Sequence, residues 1–235
     1  MTCLLPPIPQ DPSYHRFIDI RTFAGVPNFW DVASNLGFLL IGAYGLSKVS
    51  ELTSTTLRPA YVTFCIAVIG VAFGSGYYHL SPSTPTLVWD RLPMAIAFMA
   101  LFASILRDRT NLNQSGALLW PLVALGAASV AYWAWTEAQG RGDLRPYALV
   151  QFLPLVLMPL MLLICPGSRR SEPWLWWTFA AYFLAKVTEY FDAPIYRALG
   201  LSGHTIKHLL SAAAVLFAMY ALLRMAAPRP PGSSQ

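Results

Sequence analysis

Charge is scarce in this chain. Only 11% of the 235 residues are Asp, Glu, Lys or Arg, while 56% are apolar and the mean hydropathy is +0.49. A soluble domain carries about 25% charged residues, so an ordinary water-soluble globule is excluded. Long basic clusters are lacking too. The net charge of +5 is scattered, with pairs at Arg107/Arg109 and Arg169/Arg170. That pattern fits attraction to anionic lipid headgroups better than nucleic-acid binding. The three cysteines, Cys3, Cys65 and Cys165, lie far apart without a CxxC. Neither a disulfide framework nor a cysteine metal site is legible, and the thiols read as buried bystanders. The opening MTCLLPPIPQDPSYHRF has no basic stretch followed by a long apolar core, so it does not read as a cleavable signal peptide.

What the chain has in quantity is hydrocarbon-length apolar sequence. Crossing a bilayer as a helix takes about 20 mostly apolar residues. Seven segments qualify: 30–48, 59–79, 86–106, 115–135, 146–164, 173–191 and 205–226. The runs are continuously apolar rather than alternating, which favours helices over barrel strands. The expected fold is an all-α integral membrane protein, a compact bundle of seven transmembrane helices. Its parts are a polar lead-in at 1–29, a seven-transmembrane-helix domain at 30–226 and a disordered tail at 227–235. Short polar breaks, such as 81–85 and 192–203, place neighbouring helices antiparallel, and no internal repeat is present.

An odd number of spans puts the termini on opposite sides. The lead-in and the loops after the second and sixth spans then share one side. Lys and Arg number seven on that side and eight on the other, leaving Lys186 within a span. The positive-inside rule therefore gives only a lean toward N-out, C-in. The compact form and proline-rich ends suggest a bacterial inner membrane.

The four histidines are unevenly used. His79, His204 and His208 fall at the ends of apolar segments, together with Ser75 and Asp90. Ionisable groups in such places are costly and usually functional. His204 and His208 are four apart and share one face of a helix, as do Ser75 and His79. Three imidazoles can hold zinc with one position left for water, whose pKa then falls to about 7. Asp90 suits a proton carrier, and equally an N-terminal cap for the third helix. Ser75 suits a donor to the water or a developing oxyanion, and equally a small packing residue. Lys186 and Glu189 read as an intramembrane ion pair, either structural or lining a cavity. Trp174, Trp176 and Trp177 read as an interfacial aromatic belt, and His15 reads as a lead-in residue.

At these residues the chain resembles the alkaline ceramidases. The carriers are GSGYYHLSPSTPTLVWDRLPM, SGHTIKHLLSA and NFWDVASNLGFLLIG. That family belongs to a superfamily of seven-helix membrane hydrolases that includes the adiponectin and progestin receptors. The resemblance implies a zinc-dependent amidase that cleaves ceramide or a related N-acyl lipid into a fatty acid and a sphingoid base or other amine. His79, His204 and His208 would hold Zn2+, and Asp90 and Ser75 would be catalytic. A calcium site in the lead-in is also implied. Asp19 and Asn28 match two of its positions, whereas Tyr14, His15 and Phe17 stand where acidic residues would be expected. The expected partner is the membrane lipid substrate, with no nucleic acid and no obligate protein partner. Two other readings use the same residues: a receptor or signalling module with structural zinc, and a metal or proton transporter. The short lead-in argues against the first. The placement of the ionisable groups at helix ends argues against the second.

Overall fold

The computed structural model describes residues 6–110 and 112–226. The predicted tail at 227–235 and Cys3 lie outside them. The described chain is all-helical. Its helices are α1 (Phe29–Ser47, interrupted at residues 34–35), α2 (Arg58–Leu80), α3 (Thr84–Arg109), α4 (Leu119–Ala138), α5 (Arg145–Ile164), α6 (Glu172–Tyr190), α7 (Asp192–Leu199) and α8 (Gly203–Ala226). Five of these, α1, α2, α3, α5 and α8, are long and apolar enough to cross a membrane. The protein is a multi-pass membrane protein.

A helix forms at each of the seven apolar segments. α4 and α6 do not meet the same apolarity criterion. α4 is diluted by aromatics (Trp120, Tyr132, Trp133 and Trp135), and α6 contains Glu172, Lys186 and Glu189. α4 also starts later than its segment predicts, because residues 112–118 form a turn. There Gly116 adopts φ +75°, and Asn113 donates to Ala103 O and accepts from Leu118 N. The connection at 192–203 was expected as a plain loop but contains α7, which ends at Gly200 in the left-handed conformation.

Burial runs opposite to that of a soluble bundle at the surface. Ile66, Phe73, Leu125, Leu153, Val156, Leu163 and Phe183 are exposed, each by about half or more. The interior is apolar as well, with Tyr61, Phe64, Val68, Ile105, Met158 and Leu222 in the larger cluster and Trp133, Leu87, Met99 and Tyr147 in the smaller. Cys65 is buried and Cys165 half-buried, both as free thiols.

Two close helix approaches position the functional end. α2 packs chiefly on α3, and α6 on α8. At Gly74 an added Cβ would lie 1.9 Å from the Trp89 carbonyl oxygen. That carbonyl would normally accept from the N–H four residues on, but residue 93 is proline and has none to give. At Gly203 an added Cβ would lie 2.1 Å from Thr188 O. Glycine is needed at both points for backbone-to-backbone contact. α3 itself starts on a capping box, in which Ser83 and Thr86 satisfy each other's backbone N–H groups.

Candidate metal centre and its cavity

The three expected histidines meet. His79 sits on the last turn of α2, and His204 and His208 on the first two turns of α8. All three are buried, and their ring centroids lie 4.8–4.9 Å apart pairwise. One ligand nitrogen from each falls within 4.8 Å of the others. The group can hold a metal ion.

Two observations test the fit to zinc. His79 Nε2 and His204 Nε2 are 3.3 Å apart. Two ligands at 2.0–2.1 Å on a tetrahedral zinc are separated by about 3.3 Å. The second is a supporting hydrogen bond. Ser34 Oγ donates to Asp31 O at 3.1 Å and lies 2.8 Å from His208 Nδ1. His208 then donates its Nδ1–H to Ser34, which leaves the Nε2 lone pair for a metal. His79 Nδ1 is buried without a hydrogen-bond partner among the described residues, so none of them outside the cluster holds that ring by its nitrogens. The residues fit the ion.

α1 and α7 brace the centre. Asp31, fully buried, accepts from Thr205 Oγ1 at 2.6 Å and Ser202 Oγ at 3.1 Å, tying α1 to the start of α8. Asn28, in a left-handed conformation, donates from Nδ2 to His79 O at 2.8 Å. Asp192 accepts from His204 N at 3.0 Å and also from Gly203 N, placing a carboxylate at the N-terminus of α8. Burial pushes the Asp192 carboxyl up, and those two backbone bonds oppose the rise.

The lead-in caps the histidines. Phe17 lies against the His79 and His204 rings, with centroids at 4.6 and 4.9 Å. His15 is half-buried and anchors this segment, with Nδ1 2.9 Å from Tyr78 Oη and Nε2 3.1 Å from Thr84 Oγ1. Burial, with Arg91 nearby, lowers its pKa. Asp19, expected at a calcium site, is buried and gives both carboxylate oxygens to Arg21, at 2.8 and 2.6 Å. The Arg21 hydrogen bond holds the Asp19 pKa down. Asn28 turns its amide N–H to His79 as described. Among the described residues, the hydrogen bonds of Asp19 and Asn28 run to Arg21 and His79 and gather no set of oxygen donors, whereas calcium needs six to eight.

Beside the histidines a cavity of about 300 Å³ runs into the bundle. Ser75, Asp90 and His208 line its polar end, and Ser75 donates a hydrogen bond to Asp90. From His208 the wall descends along Ser211, Ala214 and Ala218, and from Asp90 along Met94, Ala97 and Leu101. Ten residues of helix measure about 15 Å, so the cavity is long, narrow and apolar below a polar mouth.

Several cavity residues were not expected from sequence. Lys207 counted there only as an interfacial charge. It reaches Glu189 Oε1 at 2.8 Å and His204 Nε2 at 3.3 Å. Glu189 also accepts from Lys186, the expected pair, so one carboxylate joins two lysines. Arg91, likewise counted only as a charge, is buried beneath the rings of Trp133, Tyr147 and Tyr14. The available signal was position: Lys207 sits inside the HxxxH motif and Arg91 directly follows Asp90.

A comparison with curated proteins returns no match. A family model described as Ceramidase matches residues 23–229, which takes in every helix and all five of the residues His79, His204, His208, Asp90 and Ser75. With the buried imidazole trio at the head of an apolar cavity, that match settles kinship: this chain belongs to the Ceramidase family.

Proposed function

We propose that the protein is a seven-span, zinc-dependent membrane amidase that hydrolyses ceramide or a related N-acyl lipid to a free fatty acid and an amine. The observation that carries this reading is the joining of the three-histidine centre to a lipid-shaped cavity with Asp90 at their junction. α4 and α6 complete the seven spans. In support, both are about 20 residues long and turn large apolar side chains outward, Trp120 and Leu125 on one, Trp177 and Phe183 on the other.

His79, His204 and His208 would hold zinc, which when bound supplies an activated water and polarises the amide carbonyl. The apolar wall from Met94 to Leu101 and from Ala214 to Ala218 receives the acyl chain and sets the amide level with Asp90. Asp90 takes a proton from the attacking water and returns it to the departing nitrogen. The C–N bond breaks, the acid keeps the water's oxygen and its second proton, and the amine leaves neutral. Ser75 already donates its hydroxyl to Asp90, so its part is to aim that carboxylate. Phe17 excludes bulk water from the outer side of the centre. Calcium stands outside this proposal because Asp19 is already neutralised by Arg21.

The test is purified protein in neutral detergent with a panel of N-acyl lipids, alongside elemental analysis. One zinc per chain and released fatty acid are expected, and His208→Ala removes both. Equal release by His208→Ala would refute the reading.

A further inference from the structure

The cavity's polar end holds more positive charge than its own carboxylates balance. Arg91, Lys186 and Lys207 line it, against Asp90 and Glu189, so its side chains carry one more positive charge than negative, and a divalent ion on the histidines would add to that excess. The two lysines share Glu189. Arg91 has no ion pair among the described residues, although it is only 7% exposed, and its Nη1 is buried with no hydrogen-bond partner. The guanidinium is held instead by rings, with Cζ 4.3 Å from the Trp133 centroid and 5.0 Å from that of Tyr147. Aromatic faces steady a cation but cannot accept its in-plane N–H bonds. An unmatched charge and a vacant donor in an apolar bundle are expensive, and both are answered by one arriving anion.

We infer that the substrate's amine part carries negative charge, and that Arg91, with Lys207, recognises it at the cavity's polar end. The substrate class is an acidic N-acyl lipid, such as an N-acyl amino acid, rather than a neutral N-acyl alcohol. The placement follows from the fold: the acyl chain occupies the wall below Asp90, the amide lies beside the histidines, and the remaining head reaches the cations at the same level. This deepens the amidase reading and rests on it.

The experiment compares N-oleoylglycine with N-oleoylethanolamine in neutral detergent. The two share an acyl chain and an amide and differ in head charge. A third probe, the methyl phosphodiester of N-oleoylethanolamine, separates carboxylate from phosphate as the preferred acid. Charge-assisted, bidentate contacts in a buried site predict that kcat/KM favours an acidic lipid by about tenfold or more. Arg91→Gln and, independently, Lys207→Met should each shrink that ratio, with melting temperatures reported for both. Arg91→Lys should restore part of it. Hydrolysis of acidic and neutral lipids at equal kcat/KM, with ratios unmoved in the variants, overturns the inference and leaves the amidase standing. Should no lipid be hydrolysed, the amidase reading falls, and quenching of tryptophan fluorescence then reads binding directly. Tighter binding of the acidic lipid that weakens in Arg91→Gln upholds the charge recognition, and equal binding overturns it.

Discussion

Replacing Gly74 with alanine tests whether the α2–α3 contact sets the catalytic geometry. The new methyl would stand 1.9 Å from the Trp89 carbonyl oxygen and 2.7 Å from its carbon. Non-bonded heavy atoms rest at roughly 3.5 Å, so the two backbones must part by about 1.5 Å. Neither obstacle is the end of a flexible side chain, and rotamer changes cannot relieve the overlap. Ser75 and His79 travel with α2, while Asp90 stays with α3. A misplacement of about 1 Å at a reacting centre costs on the order of 100-fold in rate, and overpacking costs about 1–3 kcal/mol of stability. We expect kcat for N-acyl lipid hydrolysis to fall by about 100-fold in Gly74→Ala while the helical circular dichroism is retained. The control lies two residues along: a Cβ at Gly76 meets nothing within 4 Å, so Gly76→Ala should hydrolyse within about twofold of wild type. Wild-type kcat in Gly74→Ala, or equal damage in Gly76→Ala, refutes the reasoning.

Phe17→Ala should uncover the outer face of the histidines. Zinc loss to a chelator, followed by a colorimetric zinc indicator, is then expected to run several-fold faster than in wild type, and an unchanged rate would remove the capping role. Asp143 makes a pH prediction. Its hydrogen bond from Arg145 holds its pKa down to about 2, below the usual value near 3.9 for an unfolded chain. Its stabilising contribution is therefore full above about pH 4 and is lost as pH falls through about 2. Asp143→Asn should lower the melting temperature at pH 6 while narrowing its gap to wild type at pH 2, as read by thermal denaturation in detergent.

The convergence of His79 with His204 and His208 was legible because apolar length fixes where helices end, and alternating direction then fixes which ends meet. Ser75 and Asp90 stood out because their offsets from His79 match the pattern of the family that the chain resembles. Arg91 and Lys207 escaped because a cation near a span's end reads as an interfacial anchor, and only packing shows that Trp133 or Glu189 has drawn it inward. Phe17 escaped for a related reason: an aromatic in a proline-containing lead-in has no period to reveal what it covers. The bracing role of Asp31 escaped because its partners Ser202 and Thr205 lie about 170 residues away, and no local pattern links them.

That last tie has a consequence for how the protein is made. Two of the three imidazoles, and both hydroxyls that grip Asp31, arrive with α8. While the ribosome is still producing the earlier helices, the nascent bundle in the bilayer carries Asp31 without its partners and His79 as a single imidazole. Maturation of the site is thus deferred to the final insertion event, and truncation before residue 203 removes two of the three histidines that could hold a metal ion.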